Sequence, residues 1–324
     1  MYYDALIIGN GIAGSSLAIF LAESGQRVLL VTKGESFEDT NTHQAQGGIV
    51  YRGVNDTWKL LYNDIINASD HTSSEMSSRV VARIGPTLVK RLFIQKLRVP
   101  FEQDENGEWN LFQEAAHSRR RILHVKDCTG RAIQKALNEG VLREHLIDFK
   151  KNTWAVGLIL SSQYQIDPHS RFLSPECHGV YLLDARKGEI MPVFARATVL
   201  ATGGLNSLYR HATGGDWNTG DGYAIAARAG VTLQNMEYIQ FHPTLLYAPD
   251  YKQAFLVSEA FRGEGAELVN EEGKSFMRKY HPLGSLGPRD VIARAIFQEM
   301  QSRNTHCVYL DLCKKMTSDA IRDT

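Results

Sequence analysis

Tyr2-Tyr3-Asp4-Ala5-Leu6-Ile7-Ile8-Gly9-Asn10-Gly11-Ile12-Ala13-Gly14 opens the chain, and its reading decides the fold. Ala5 to Ile8 are small or apolar without a helical period, which predicts a strand buried on both faces. Gly9, Gly11 and Gly14 then give the spacing GxGxxG. Ser15 to Ser24 continues as a helix with apolar Leu17, Ala18, Phe20 and Leu21, and Gly25 stops it. Strand, glycines and helix in this order form a phosphate cradle. Gly9 allows the tight turn, Gly11 lets backbone approach a pyrophosphate, and Gly14 lets the helix pack on the strand. The helix N-terminus adds unpaired N–H groups and partial positive charge. The flanking strand and helix favour dinucleotide binding over a merely structural glycine turn.

Working outward, Gln26 to Lys33 reads as a second parallel strand. A nicotinamide enzyme needs Asp or Glu at its end for the ribose hydroxyl. Thr32 and Lys33 stand there instead, which points away from NAD. Asn41 to Ile49 is a polar loop ending in Gly47-Gly48, and residues 56–97 carry helical apolar stripes with a core role. Residues 114–124 are dense in titratable groups, although the run Arg119-Arg120-Arg121 reads as a solvated face. Thr129-Gly130-Arg131 leads into a helix. Residues 145–200 look β-rich, with a polar hairpin excursion over 161–178 that includes Pro168 and Pro175. Ala201-Thr202-Gly203-Gly204 is a second small-residue turn after a strand, and Thr219-Gly220-Asp221-Gly222 precedes a helix over 223–229. Asp221 is either a helix cap or a ribose contact. Beyond Asn235 polar clusters alternate with apolar segments, which places a domain boundary there: 1–235 and 236–324.

Length and composition agree with two domains, since 324 residues exceed the usual limit of a single core. Lys+Arg and Asp+Glu both number 36, so no global field favours nucleic acid or an anionic membrane. Cys128, Cys177, Cys307 and Cys313 form no CxxC pair or metal-like cluster, which suggests reduced thiols in the cytoplasm and no bound metal. Asp4 and the lack of a basic flank argue against a signal peptide, and no apolar run reaches membrane-span length.

Taken together, the motifs are more specific than any one of them. GNGIAG at 9–14, NTHQAQGGI at 41–49, HSRRRILHVKDCTGR at 117–131 and ATGG at 201–204 are followed by four more. These are TGDG at 219–222, QFHPT at 240–244, SEAFRGEGA at 258–266 and PRDVIARAI at 288–296. In this order they resemble the succinate dehydrogenase/fumarate reductase flavoprotein family. The resemblance implies an α/β fold, with a Rossmann-like FAD-binding domain and an inserted α+β capping domain. It carries Gly9, Gly11, Ala13 and Gly14 over to the pyrophosphate and Lys33 to the adenosine half. Asn41, Thr42, Ala45, Gln46, Gly47 and Gly48 fall along the flavin, and Asp221 completes the cofactor set. Covalent-flavin members have a His where this chain has Asn41, and His43 comes two residues too late. The implied FAD is therefore non-covalent.

The resemblance also implies a substrate site. Arg289 is the catalytic residue set against the substrate, and its planar fork suits a carboxylate. An acid/base role is chemically demanding, since the reference pKa is about 12.5 or higher. A bland ion pair of Arg289 with Asp290 or Glu259 is the alternative. His242, Ser258 and Glu259 complete the substrate-binding set, with Ser where Thr is usual at 258. Arg262 and Glu264 read as an internal ion pair. Glu114 stands where dicarboxylate-only members have a neutral glutamine, and an anion there suits a substrate ammonium. The implied reaction is therefore oxidation of L-aspartate to iminoaspartate, with O2 (giving hydrogen peroxide) or fumarate as acceptor. Its product would feed quinolinate synthase on the route to NAD. The fumarate reductase type and a catalytically incomplete fold fragment are the alternatives. Family chains are longer, and a further substrate arginine and histidine and the last flavin contacts are expected beyond the residues read here.

Overall fold

The computed structural model describes residues 2–114, 116–164, 169, 174–247, 255–257, 259–263 and 265–312. Ser258, Glu264, Cys313 and residues 165–168 and 170–173 of the expected 161–178 hairpin lie outside the described residues.

The chain starts with β1 (Tyr2–Ile8), α1 (Ile12–Glu23), β2 (Val28–Val31), α2 (Asn41–Gln44) and the two-residue β3 (Ile49–Val50). Helices α3 (Trp58–Ala68) and α4 (Glu75–Val89) follow, separated by a turn in which Asp70 and His71 take positive φ. Next come β4 (Ile122–Leu123), α5 (Thr129–Arg143), β5 (Ile147–Lys150), β6 (Thr153–Leu160), β7 (Cys177–Asp184) and β8 (Glu189–Leu200). The last elements are α6 (Asp221–Arg228), α7 (Ala260–Gly263), β9 (Glu267–Val269), α8 (Arg289–Arg303) and β10 (Tyr309–Asp311). The first strand is longer than Ala5 to Ile8, because Tyr2 and Tyr3 already pair with Phe194 and Ala195.

By contacts the chain divides into two compact units. The first holds Met1–Ile49, Thr87–Asn110 and Leu123–Met236, and the second Val50–Pro86, Leu111–Ile122 and Glu237–Thr324. The late boundary falls one residue from the expected one. Residues 50–86 and 111–122, expected in the first unit, belong to the second. Their mutual ties are long-range: Arg121 bonds Asp56 and Asp64, and the Tyr51 amide donates to the Arg121 carbonyl at 2.7 Å. A linear reading of sequence has no access to such pairings.

The first unit is built on a six-stranded sheet of order β5-β2-β1-β8-β7-β6. β5, β2, β1 and β8 are parallel, whereas β7 and β6 are antiparallel additions at one side. Leu6, Ile7, Leu29 and Leu30 are buried, as the unbroken apolar runs require for a parallel sheet. A core of Leu6, Ile8, Leu29, Val31, Val180, Leu182 and Val193 packs on one face. Each such side chain contributes roughly 1.5–3 kcal/mol on burial. Helices α1 and α5 pack together, and a Cβ at Gly140 would press on Ile19 and Leu97.

The sheet fixes where a ligand can sit. β1 has β2 on one side and β8 on the other, so connections leave in opposite directions at its C-terminal end. Such a switch point opens a crevice beyond the strand ends. Gly9, Thr32 and Ala201 occupy those ends.

The second unit has a smaller core, with Leu268, Phe276, Met277, Ile292, Ala295 and Ile296 between the antiparallel β9–β10 pair and α8. It is α+β in character.

Candidate active site

The cradle is shaped by close backbone approach. A Cβ at Gly9 (φ +107°) would strike the Ala201 carbonyl, and one at Gly14 would strike the Gly9 carbonyl. Only glycine fits at these two positions. The Ile12 amide at the start of α1 donates to Thr42 Oγ1 at 2.9 Å, tying the glycine turn to the 41–48 loop. The Gly130 amide donates to the Ala45 carbonyl at 3.0 Å, and a Cβ on Gly130 would collide with the Thr42 and Ala45 carbonyls. Thr40 Oγ1 donates to Gln134 Oε1 at 3.0 Å, and Gln134 Nε2 donates to the Asn10 carbonyl at 3.1 Å. These buried bonds hold the loop against the first turn.

Asn41 accepts from Asn218 Nδ2 at 2.5 Å. Lys33 donates to both Asp221 and Thr219, at 2.7 Å in the second case, and stands over the Trp154 ring at 5.1 Å. Burial pushes the Asp221 carboxyl up, but the Lys33 and Thr219 bonds outweigh it and hold the group below the usual range. Asp221 is the first residue of α6 after Gly220 (φ +76°), and its carboxylate is engaged by Lys33 and Thr219 rather than serving as the cap. The acid missing from the end of β2 is thus brought there by α6.

Gly9, Gly11, Ala13, Gly14, Lys33, Asn41, Thr42, Ala45, Gln46, Gly47, Gly48 and Asp221 all belong to the first unit, around the strand-end crevice and the loop beside it. Ala13, Ala45, Gly47 and Gly48 are exposed, while Gln46 Oε1 is buried without a hydrogen-bond partner among the described residues. A glycine-walled cradle, an open loop and an orphaned acceptor fit a dinucleotide. Asn10, Thr40, Gln134 and Asn218 escaped the sequence reading, because their partners are distant in the chain and their residue types carry no signal alone.

In the second unit a carboxylate sits between two guanidinium groups. Glu259 Oε2 accepts from Arg289 Nε at 2.9 Å and Nη2 at 2.7 Å. Glu259 Oε1 is 3.6 Å from Arg262 Nη2. Arg262 is buried and donates Nη1 to the Ser285 carbonyl at 3.0 Å. Its Nε and Nη2 have no hydrogen bond among the described residues. Arg262 and Glu259 stand at an i,i+3 spacing at the start of α7, and the expected partner Glu264 lies outside the described residues. Arg289 starts α8 directly after Pro288, and Asp290 pairs with Arg294 instead.

His242 completes this group. The Thr244 amide donates to its Nδ1 at 3.3 Å, so the neutral ring carries its proton on Nε2. Burial, then Arg289 and Arg262, push its pKa down to about 4. The Val257 amide donates to the Thr244 carbonyl at 3.0 Å, which anchors the His242 segment to the stretch entering Glu259. Two guanidiniums on one carboxylate leave a net positive charge, with the neutral His242 within electrostatic reach, an arrangement suited to anions. Ser258 lies outside the described residues. Glu114 lies on a separate loop of the same unit, half-buried.

The reading of 119–121 as a solvated run needs correcting. Arg119 and Arg120 are exposed, but Arg121 is fully buried by two aspartates. Among the described residues no cluster of metal-ligating side chains occurs, and no helix is long and apolar enough to cross a membrane. Cys128, Cys177 and Cys307 are free thiols.

Fold and site define a two-unit flavoprotein with a dinucleotide cradle. The FAD binding domain family matches residues 4–324, and the chain belongs to this family of succinate dehydrogenase and fumarate reductase flavoproteins. Among curated relatives, L-aspartate oxidase 1 of Ralstonia nicotianae is 37% identical over 96% of this chain and 57% of its own length. L-aspartate oxidase of Pseudomonas aeruginosa is 38% identical over 97% of this chain and 58% of its own. A variant of the FrdA subunit of E. coli quinol fumarate reductase superposes with a TM-score of 0.86 at 25% identity, over 99% of this chain and 55% of that one. The chain thus spans little more than half the length of these relatives. FAD is the cofactor of this fold.

Proposed function

We propose that this chain carries the FAD-binding and substrate-binding parts of an L-aspartate oxidase, which converts L-aspartate to iminoaspartate. The observation that carries this reading is the pair of guanidiniums, Arg289 and Arg262, on Glu259, with His242 within electrostatic reach of them, an arrangement suited to a substrate with carboxylates. Identity of 37–38% to enzymes named L-aspartate oxidase supports the amino-acid substrate.

FAD bound in the cradle would supply the two-electron acceptor for this oxidation and would be reoxidised by O2, giving hydrogen peroxide, or by fumarate. It is held without a covalent bond, since Asn41 occupies the position of the attaching histidine. Gly9, Gly11, Ala13 and Gly14 would hold the pyrophosphate, and Lys33 with Asp221 the adenosine half. The 41–48 loop would hold the flavin.

Arg289 binds a substrate carboxylate, with Glu259 fixing the plane of its guanidinium. His242 donates Nε2–H to a carboxylate oxygen. Ser258 adds a hydroxyl, and Glu114 balances the α-ammonium. The proton lost from the substrate nitrogen on oxidation is handed to Arg289, whose guanidinium is hydrogen-bonded to Glu259.

Product use by quinolinate synthase and a cytoplasmic location follow from the same reading. A fumarate-reducing role is the second reading, favoured by the fold match to the FrdA subunit. Anaerobic addition of L-aspartate to the FAD-loaded chain separates them. Bleaching of the oxidised flavin by L-aspartate supports the oxidase, and bleaching by succinate alone refutes it.

A further inference from the structure

Residues 112 and 122 are paired through the backbone, which brings the ends of the 111–122 stretch together. Phe112 and Ile122 exchange backbone bonds at 3.1 and 3.2 Å, and the Arg121 amide also donates to the Phe112 carbonyl at 3.2 Å. Within the loop, the His117 amide donates to the Glu114 carbonyl at 3.2 Å, and Ala116 takes φ +69°. Gln113 Nε2 closes the turn on the His117 carbonyl at 2.5 Å. Glu114 therefore sits in a tight turn whose orientation depends on what holds residues 117–121.

That hold is a buried charge cluster. Arg121 is 0% exposed and binds Asp56 bidentately, Nε to Oδ2 and Nη2 to Oδ1, both at 2.8 Å. Its Nη1 donates to Asp64 Oδ2 at 2.5 Å and lies 3.3 Å from His117 Nδ1. The same Asp64 oxygen accepts from the Ser118 amide and hydroxyl, both at 2.9 Å. Asp64 projects from the middle of α3, so a helix fixes the loop. A Cβ at Gly53 would collide with the Arg120 carbonyl, which shows how closely the neighbouring backbone packs here. A guanidinium cannot accept, so His117 Nδ1 must, and its ring is neutral with the proton on Nε2. Burial and then Arg121 lower the His117 pKa in keeping with that tautomer.

Two carboxylates around one buried guanidinium form an expensive arrangement, and hydrophobic replacements of such groups are often no less stable. A geometric task better accounts for it. We propose that the Asp56–Arg121–Asp64 cluster is a positioning element for Glu114, holding its turn so that the carboxylate selects a substrate bearing an α-ammonium over the same dicarboxylate without one. The proposal rests on Glu114 being the ammonium partner. Arg121 and Asp64 touch no substrate and act through the loop.

The test compares affinity for L-aspartate and for succinate in the FAD-loaded full chain, read from the flavin spectrum. Glu114→Gln examines the underlying reading, and Asp64→Asn examines the positioning. Asparagine keeps the shape and an acceptor for Ser118 but removes the charge that Arg121 requires. The preference for L-aspartate is expected to fall roughly tenfold in Asp64→Asn, the loss of one charged hydrogen bond. Succinate affinity should change less than about twofold, and Asp64→Asn should add nothing to Glu114→Gln. Hydrogen exchange at the Ser118 amide should rise in Asp64→Asn while α8 keeps its protection. A preference that collapses in Glu114→Gln but survives in Asp64→Asn overturns the positioning role alone. A preference unaffected by Glu114→Gln, or absent from the unaltered chain, overturns it together with the ammonium reading. Equal losses for both ligands in Asp64→Asn mark the cluster as merely structural and also overturn the proposal.

Discussion

Glu259 holds Arg289 by two donors on one oxygen, Nε at 2.9 Å and Nη2 at 2.7 Å. The pair fixes the guanidinium plane, so the carboxylate acts on the substrate through the arginine. Glu259→Gln should therefore leave FAD bound and lower turnover roughly 10- to 100-fold, as small misplacements in a site do. Steady-state kinetics with flavin content measured alongside check this, and unchanged kcat would contradict it.

His242 gives a pH dependence with a definite sign. Its folded pKa is about 4 against an ordinary 6.5, so between these values the unfolded chain binds the extra proton. Stability is lost as pH falls from 6.5 toward 4 and levels off below. The total is of order 3 kcal/mol. His242→Asn should flatten that part of the profile in urea unfolding. An anion bound beside the ring reverses the cost, so dicarboxylate binding in this window should take up protons, measurable by calorimetry in buffers of different ionisation enthalpy.

Gly14→Ala tests the cradle. The added methyl meets the Gly9 carbonyl, which the parallel sheet holds rigidly. A loss of about 1–3 kcal/mol is expected from overpacking. Flavin content after dialysis should fall in parallel, and full retention would argue against the cradle as the pyrophosphate site.

Phe276→Ala addresses the second unit. Phe276 is 1% exposed between Leu268 and Ile292, and its removal should cost about 3–5 kcal/mol. Because the FAD cradle belongs to the first unit, flavin binding should be affected less than thermal stability.

Much of the first unit was legible because its signals are local. A strand at Ala5 to Ile8, the glycine spacing and a helix from Ser15 follow from local residue type and spacing, although the strand begins earlier, at Tyr2, and the helix at Ile12. Lys33 and Asp221 were both named, but their bond across 188 residues appears only when α6 is folded against the end of β2. Asp221 also looked like a cap, since sequence reveals position on a helix but not which donor a carboxylate meets. Arg121 misled most. Three successive arginines suggest solvent, and nothing nearby says that the third turns inward to Asp56 and Asp64. The same long-range pairing moved 50–86 and 111–122 into the second unit.

The central claim is that Arg289, held by Glu259, serves oxidation of L-aspartate by bound FAD. The most direct measurement is peroxide release on adding L-aspartate to the FAD-loaded chain, beside Arg289→Leu. Peroxide from the unaltered chain, with none from Arg289→Leu at equal flavin content, is the predicted result. Peroxide at equal rates from both, or no flavin and no peroxide from the unaltered chain, would contradict it.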